Sequence, residues 1–163
     1  ADRVVVWDPP AELYEAAFFG QRLGGRNADG GPLQLSLVEA AYLSRRGVVD
    51  TAESDVVARG REVEGERFDR RLRAYAAMRT AGSVPKSGFK FGADFRAYDH
   101  FGGIDDMGHS DRLVRVVPAG HTFFPRDLSL DVRLAGGVRK RMVFALTDAT
   151  DGIDWLTVAR LTP

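Results

Sequence analysis

The sequence predicts an α+β protein in which a small mixed α/β amino-terminal domain precedes a larger domain built on a mixed β-sheet flanked by helices. Before residue 83 apolar residues recur mainly at helical spacing, and after it the pattern changes to alternation rich in aromatic residues. Helical and strand patterns then alternate irregularly, which is typical of a mixed sheet with helices packed on it. We place the domain boundary between residues 65 and 66.

The amino-terminal domain begins with a strand, residues 3–7 (RVVVW), which the following Asp-Pro-Pro ends. Residues 11–19 predict a short amphipathic helix. The glycine-rich stretch 20–32 has no periodicity and predicts a loop.

A longer helix is predicted in residues 33–47 by the recurrence of apolar residues. Ser36 and Glu39 have the spacing of a capping box, and Gly47 supplies the stop. The polar stretch 51–65 leads from this helix into the second domain.

The second domain opens with a helix over residues 66–82 whose arginines form a solvated face. Pro125 begins another helix that two glycines end at residue 137. Alternating patterns predict strands at residues 87–98, 112–118, 138–146 and 154–161. The last two strands are joined by an acidic turn, TDATDG, at residues 147–152.

The composition excludes several classes of protein. The 163 residues contain no cysteine, which excludes a disulfide framework, a zinc–thiolate site and a thiol nucleophile. The chain has 23 basic and 23 acidic residues, so a nucleic-acid partner would have to meet a local basic patch. We see neither a secretory signal nor a membrane span and expect a cytoplasmic protein without a membrane partner.

Two stretches contain residue types found in phosphate-binding and metal-binding sites. The stretch GSVPKSGFKFG lacks the residue order of a phosphate-binding P-loop and predicts a strand instead. The stretch DHFGGIDDMGHSD gathers possible metal ligands without regular ligand spacing: Asp99, His100, Asp105, Asp106 and His109. A metal-dependent nuclease therefore stays an alternative, while solvated turn residues explain the pattern better.

Three other side chains could move protons without a metal. Tyr98 ends a predicted strand, His109 lies in the loop after it, and Lys140 lies in a later predicted strand. Only three of the 23 basic residues are lysines, and Lys140 stands between two arginines. Alternation predicts that Lys140 faces the packed side of its strand with Met142, while Arg139 and Arg141 face the other side.

The stretches SGFKFGADFRAY, HSDRLVRVV and RDLSLDVRLAGGVRK, with the closing strand and its acidic turn, resemble the catalytic domain of the archaeal tRNA-splicing endonucleases. LQLSLVEAAYLSRRGVVD resembles the amino-terminal domain of the same family. The resemblance spans nearly the whole chain and makes residues 66–163 a catalytic domain. The sequence departs from the family pattern at Gly136 and Gly137, where the family usually has a serine before the Val-Arg-Lys run.

The resemblance implies a tRNA-intron endonuclease that cleaves precursor tRNA in a bulge-helix-bulge motif without a metal or other cofactor. Tyr98, His109 and Lys140 match the catalytic residues of the family. A ribose 2′-hydroxyl would attack the adjacent phosphate, leaving a 2′,3′-cyclic phosphate and a 5′-hydroxyl. Tyr98 would act as the base, His109 would protonate the leaving oxygen, and Lys140 would stabilise the charged phosphorane.

The resemblance also implies binding and assembly residues. Arg133 and Trp155 match the flat side chains that grip an unpaired base of the RNA. Asp148 and Asp151 match an acidic loop that one unit inserts into another in four-unit assemblies. We therefore expect the catalytic subunit of a homotetramer, or of a heterotetramer with a structural subunit.

Two expectations stay open at this point. The loop 20–32 could contact RNA through Arg22 and Arg26, as an insertion in this region does in some relatives. The chain could alternatively be a non-catalytic structural or RNA-binding subunit of the same assembly, which would have no need of the Tyr98, His109 and Lys140 set.

Overall fold

The structure, a computed structural model, describes residues 2–25 and 30–163. It confirms the predicted α+β class, with one three-stranded and one mixed five-stranded sheet accompanied by helices. Contacts group the chain into two units, Ala1–Leu72 with Phe101–Met107, and Arg73–His100 with Gly108–Pro163. The division falls inside one helix, after Leu72.

The first unit contains an antiparallel sheet in the order β1-β3-β2. Its strands are β1 (Arg3–Val6), β2 (Gln21–Arg22) and β3 (Leu33–Ser36). Its helices are α1 (Ala11–Glu15), α2 (Leu37–Arg45), α3 (Glu53–Glu64) and the first half of α4 (Glu66–Thr80).

The capping box predicted at the start of α2 is confirmed. Ser36 Oγ accepts from the backbone N–H of Glu39, whose carboxylate accepts in turn from the Ser36 backbone N–H. The four residues before the helix form strand β3 rather than a helical turn, because they pair with β1 on one side and β2 on the other.

The predicted helix 11–19 is wrong beyond Glu15, and Phe18 has a left-handed φ of 52° that helical backbone does not adopt.

Helix α3 was missed from the sequence because its surface is polar and its centre holds Gly60. A Cβ atom at Gly60 would lie against the ring of Phe68, which is fully buried at the start of α4. The glycine is therefore required by the close approach of α3 and α4, which outweighs its low helix propensity.

The second unit has its strands in the order β4-β5-β6-β7-β8, with β6 and β7 parallel and the other pairs antiparallel. These strands are β4 (Val84–Ser87), β5 (Phe95–Tyr98), β6 (Arg112–Pro118), β7 (Arg141–Thr147) and β8 (Ile153–Val158). Helix α5 (Pro125–Gly137) joins β6 to β7 and packs on one face of the sheet through Leu113, Ala135, Met142 and Phe144.

Three strand predictions in this unit were too long. Within residues 87–98 only Ser87, the last residue of β4, and Phe95–Tyr98 are in strands, because Phe89–Phe91 turn as a single 3₁₀ helix bounded by Gly88 and Gly92. A Cβ atom at Gly88 would lie 2.7 Å from the backbone carbonyl carbon of Phe95, so this turn needs a glycine. Strand β7 begins at Arg141 rather than at Val138, and β8 ends at Val158 rather than at Leu161.

Across the described part of the chain, no helix combines the length and apolar character that a membrane span requires.

Substituting Gly60 with alanine tests the contact between α3 and α4. We expect Gly60→Ala to lower the free energy of unfolding by about 1–2 kcal/mol, because overpacking a core commonly costs about 1–3 kcal/mol and the helix gains at most about 1 kcal/mol from the alanine. Gly136→Ala is the matched control, since a Cβ atom there meets nothing within 4 Å, and it should leave stability unchanged or raise it. Denaturant unfolding measures both, and equal stability of the two variants would contradict the contact.

Candidate active site

At one end of the second unit's sheet, the last residues of β5 lie in register with the first residues of β6 and β7. Ala97 of β5 lies opposite Arg112 of β6, and Arg112 lies beside Arg141 of β7. Tyr98 follows Ala97, and Lys140 precedes Arg141. The sheet therefore carries Tyr98 and Lys140 to the same end, on either side of the residue that leads into β6.

That residue is Asp111, which bonds to both neighbouring strand ends. Its backbone N–H donates to the carbonyl of Ala97 at 2.8 Å, and its own carbonyl accepts from the N–H of Arg141 at 3.0 Å. Its carboxylate accepts from the backbone N–H of Asp99 at 2.7 Å. Since His109 is two residues before Asp111, these bonds hold the segment that carries His109 beside the ends of β5 and β7.

Lys140 lies in the turn between α5 and β7. Its backbone N–H donates to the carbonyl of Ala135, and the preceding residue, Arg139, takes a left-handed φ of 56°. Its ammonium donates to the backbone carbonyl of Ser110 at 2.6 Å. The lysine therefore bridges α5 to the residue immediately after His109.

The prediction that Lys140 belongs to a strand with alternating faces is wrong. The backbone donors of residues 138–140 bond to carbonyls at the end of α5, so no sheet pairing sets the direction of these side chains. Arg141, which alternation placed on the face opposite Lys140, instead lines the same pocket as Lys140.

The surroundings of Lys140 lower its pKa below that of an ordinary lysine. Burial of the ammonium is the largest cause, the positive charge of Arg96 adds to it, and the carboxylate of Asp111 opposes it. The ammonium also lies 5.8 Å from the ring centroid of Phe91. Lys140 is thus a partly desolvated cation, whose field reaches further than that of a hydrated surface lysine.

Tyr98 and His109 differ in exposure. Tyr98 is only 3% exposed, and the guanidinium of Arg96 lies 5.7 Å from its ring centroid. His109 is exposed, next to the buried Ser110. The site therefore offers a protected phenol beside a cation and an imidazole that solvent and a large ligand can reach.

Asp99 carries out a structural role that sequence reasoning missed. Its carboxylate pairs with Arg112 of β6 at 2.5 Å and with Arg141 of β7 at 2.9 Å. Ser83 donates its hydroxyl to the same carboxylate, at 3.2 Å. The sequence does contain a signal for this role, because an acidic residue directly follows β5 and an arginine begins each of β6 and β7. Asp99 clamps the ends of these strands next to Tyr98.

The alternative metal cluster draws no support from this arrangement. Both oxygens of Asp99 are already engaged by arginines. Among the described residues, no three His, Asp or Glu side chains are grouped so that they could hold a metal ion.

Arg133 and Trp155 do not lie together within the chain. Arg133 projects from α5 into a pocket that Lys140 also lines. Met142 and Phe144 of β7 point to the face of the sheet on which α5 packs. Ala145, next to Phe144 in the strand, points to the opposite face, and so does Trp155 of β8, which lies opposite Ala145. Trp155 is 39% exposed on that opposite face, so one chain cannot grip a base between Arg133 and Trp155.

Asp148 and Asp151 form the exposed turn between β7 and β8. The Asp148 carboxylate accepts from the backbone N–H groups of Thr150 and Gly152, and these bonds lower its pKa. Arg73 donates to the Asp148 carbonyl and reaches the Asp151 carboxylate at 3.3 Å. The turn is therefore organised by its own hydrogen bonds and presents acidic groups to solvent.

Arg22 is not available to RNA. Its side chain is 4% exposed, its guanidinium donates to the carbonyl of Gly31, and it stacks 5.1 Å from the ring centroid of Tyr14. The expectation that Arg22 contacts RNA is wrong, because β2 turns the residue inward. Arg26 lies outside the described residues.

Comparisons with known proteins agree with this architecture. A family model described as the tRNA intron endonuclease N-terminal domain matches residues 1–63, and one described as its catalytic C-terminal domain matches residues 68–155. A tRNA-splicing endonuclease of Haloferax volcanii is 68% identical over 163 residues, covering 100% of this chain and 48% of its own length. One from Halobacterium salinarum is 63% identical over 99% of the chain and 48% of its own length.

A more distant relative, the tRNA-splicing endonuclease of Methanosarcina acetivorans, is 39% identical over 98% of the chain and 47% of its own length. The chain thus spans about half the length of the curated relatives it matches. With both domains matched in order and the strand ends of the second unit in register around Asp111, the chain belongs to the tRNA intron endonuclease family.

Proposed function

We propose that the chain is the catalytic part of an endoribonuclease that cleaves precursor tRNA at intron–exon junctions within a bulge-helix-bulge motif. The observation that carries the proposal is the meeting of the Tyr98, His109 and Lys140 segments at one end of the sheet. The names of the relatives support the choice of substrate. Recognition of RNA by shape suits a chain with no net charge.

The reaction is a transesterification in which the RNA supplies the nucleophile. Tyr98, in its phenolate form, accepts the proton of the ribose 2′-hydroxyl and becomes a neutral phenol, while the hydroxyl oxygen forms a new bond to the adjacent phosphorus. His109, in its protonated form, gives a proton to the 5′-oxygen as the bond between phosphorus and that oxygen breaks. The products are a 2′,3′-cyclic phosphate and a 5′-hydroxyl, and no metal or other cofactor takes part.

Lys140 and Arg96 supply the positive charge that this chemistry needs. The guanidinium of Arg96 lies against the ring of Tyr98, where its positive charge would stabilise the phenolate that accepts the proton. The ammonium of Lys140, fixed by the Ser110 carbonyl, is positioned to stabilise the negative charge of the phosphorane. A partly desolvated ammonium held in place before the reaction is more effective than one that must reorient.

Assembly completes the proposal. We place the chain in a four-unit assembly, as a catalytic subunit of a homotetramer or with a structural partner. The exposed acidic turn at Asp148 and Asp151 would contact a basic groove of another unit. Arg133 and Trp155 would bind RNA separately, since they face opposite sides of the sheet.

Removing the imidazole of His109 tests the assignment. We expect His109→Ala to slow cleavage of a bulge-helix-bulge RNA by about 10²–10⁴-fold, the usual contribution of a general acid, while EDTA leaves the parent rate unchanged. His121→Ala, which changes an exposed histidine beyond the opposite end of β6 from the site, is the control. The assay uses gel analysis of end-labelled RNA, with any partner that the parent chain requires. Full activity of His109→Ala, or loss of parent activity on chelation, would contradict the proposal.

Replacing Lys140 with arginine tests the need for a compact cation. We expect Lys140→Arg to lower kcat by about 10²-fold with little change in RNA affinity, because a planar fork cannot replace the ammonium between the Ser110 carbonyl and a phosphate. Lys90→Arg, at an exposed position, is the matched control. Single-turnover kinetics separate the two constants, and a parent-like rate would remove the role assigned to the ammonium.

The lowered pKa of Lys140 leads to a further test. An amine reacts with an acylating reagent only in its unprotonated form, so the pH at half-maximal labelling follows the pKa. Arg96→Gln should move that midpoint for Lys140 to higher pH, and Asp111→Asn should move it to lower pH, because Arg96 lowers and Asp111 raises the pKa. Mass spectrometry resolves Lys140 from the other two lysines, and Arg126→Gln is the control. Unchanged midpoints would contradict the electrostatic coupling.

A further inference from the structure

The chain between Tyr98 and His109 passes from the second unit into the first and back. Residues Phe101–Met107, here called the crossing segment, group with the first unit, whereas His100 and Gly108 group with the second. No helix or strand lies within the crossing segment, so its own contacts fix its course. The histidine assigned above as the general acid follows its last residue by two positions. The contacts that hold the crossing segment therefore bear on His109.

The crossing segment is anchored through its apolar residues. Phe101, Ile104 and Met107 recur at every third position and are half-buried, whereas Asp105 and Asp106 between them are exposed. Burial of apolar surface stabilises the folded chain, while a carboxylate without a partner is more stable in water. The stretch that gathers possible metal ligands in the sequence is thus held by its apolar side chains.

Two contacts with the end of α1 fix the crossing segment. The ring of Phe101 stacks on the ring of Phe18, with centroids 5.4 Å apart and planes inclined by 9°. The backbone N–H of Ile104 donates to the carbonyl of Glu15 at 2.9 Å. Glu15 is the last residue of α1, and the last carbonyls of a helix have no partner inside it. The crossing segment therefore completes the end of this helix.

Phe18 is held in a backbone conformation that a bulky residue rarely adopts. Its φ of 52° lies in the left-handed region. The residue is buried, and its ring meets the ring of Tyr14 edge-on at 5.8 Å as well as stacking on Phe101. Strained backbone of this kind persists only where surrounding contacts fix it, and it concentrates at functional sites. The strain at Phe18 therefore points to a task for the stack beyond ordinary packing.

His109 depends on the flanking backbone for its position. Its imidazole is exposed, and none of the described residues forms a hydrogen bond or an ion pair with it. On its carboxyl side, the bonds of Ser110 to Lys140 and of Asp111 to Ala97 fix the chain. On its amino side, the nearest anchored stretch is the crossing segment. Along the chain, the histidine thus lies between one anchor in each unit.

We propose that the first unit positions His109 for proton transfer through the crossing segment, with Phe101 as the positioning residue. The proposal rests on the proposed function, in which His109 protonates the leaving 5′-oxygen. A general acid must lie within hydrogen-bond reach of the atom that it protonates, and a misplacement of about 1 Å can cost about 10²-fold in rate. Loosening the crossing segment would therefore slow the reaction without removing a group of the reacting centre.

The first test is single-turnover cleavage of a bulge-helix-bulge RNA by Phe101→Leu, which removes the stacked ring and keeps an apolar side chain. We expect kcat to fall about tenfold while the affinity for the RNA stays that of the parent. Phe123→Leu is the matched control, because Phe123 is also half-buried, has its ring 4.9 Å from that of Phe144 and lies beyond the opposite end of β6. This control should cleave as the parent does.

A double-mutant cycle shows whether Phe101 acts through His109. In the His109→Ala background, Phe101→Leu should cause no further loss of kcat, because the group that it positions is already absent. A ring that merely supported the fold would slow cleavage by the same factor in both backgrounds. Such an equal loss would overturn the positioning role.

Amide hydrogen exchange, followed by NMR, measures the restraint itself. The amide of Ile104, which bonds to Glu15, should exchange faster in Phe101→Leu, whereas the amide of Asp111, which bonds to Ala97, should exchange as in the parent. Asp105→Ala changes an exposed residue of the same segment and should leave both amides unchanged. Thermal unfolding confirms that each variant is folded.

The outcomes separate this proposal from the proposed function. If His109→Ala loses cleavage while Phe101→Leu keeps the parent kcat, the positioning role is overturned and the proposed function stands. Unchanged exchange of the Ile104 amide in Phe101→Leu would likewise overturn the positioning role alone. If His109→Ala cleaves at the parent rate, the proposed mechanism fails, and the positioning role of Phe101 fails with it.

Discussion

The hydrogen bonds of Asp111 are the constraint on which the site depends. One residue bonds through its N–H, its carbonyl and its carboxylate to the ends of β5 and β7. These bonds extend the pairing of β6 with β5 and β7 past the strand ends, so that Tyr98, the His109 segment and Lys140 are held together there. Backbone bonds of this kind position groups more rigidly than surface ion pairs do, because they continue the pairing of the sheet.

Electrostatics adds a second level of order. Many arginines of this neutral chain pair with carboxylates or stack on tyrosines, as Arg61 does with Asp69 and Arg46 with Tyr42. Asp99 uses the same pairing to clamp β6 and β7. The ammonium of Lys140 bonds to a neutral carbonyl rather than to a carboxylate, which leaves positive charge beside the ends of β5 and β7. A protein without net charge can thereby attract a polyanion to one place.

Local sequence signals predicted much of the fold because they depend on neighbouring residues. Helix α5 and strand β6 have the predicted bounds, and the capping box of Ser36 forms as expected. The errors arose where distant residues decide the backbone. Helix α3 carries Gly60 because Phe68 packs against it, and residues 138–140 complete the end of α5 instead of joining β7. Pattern rules cannot detect either contact from spacing alone.

The sequence by itself determined the α+β class, the order of most elements and the motifs that place the chain in its family, because helix and strand periodicity and capping are local properties. It also singled out Lys140, although the argument from strand alternation placed this residue in β7, which begins one residue later. Only the tertiary structure decided that Arg22 is buried, that Trp155 and Arg133 face apart, and that Arg160 joins Lys140 in one pocket. These facts depend on strand register and helix packing, which bring together residues far apart in the chain.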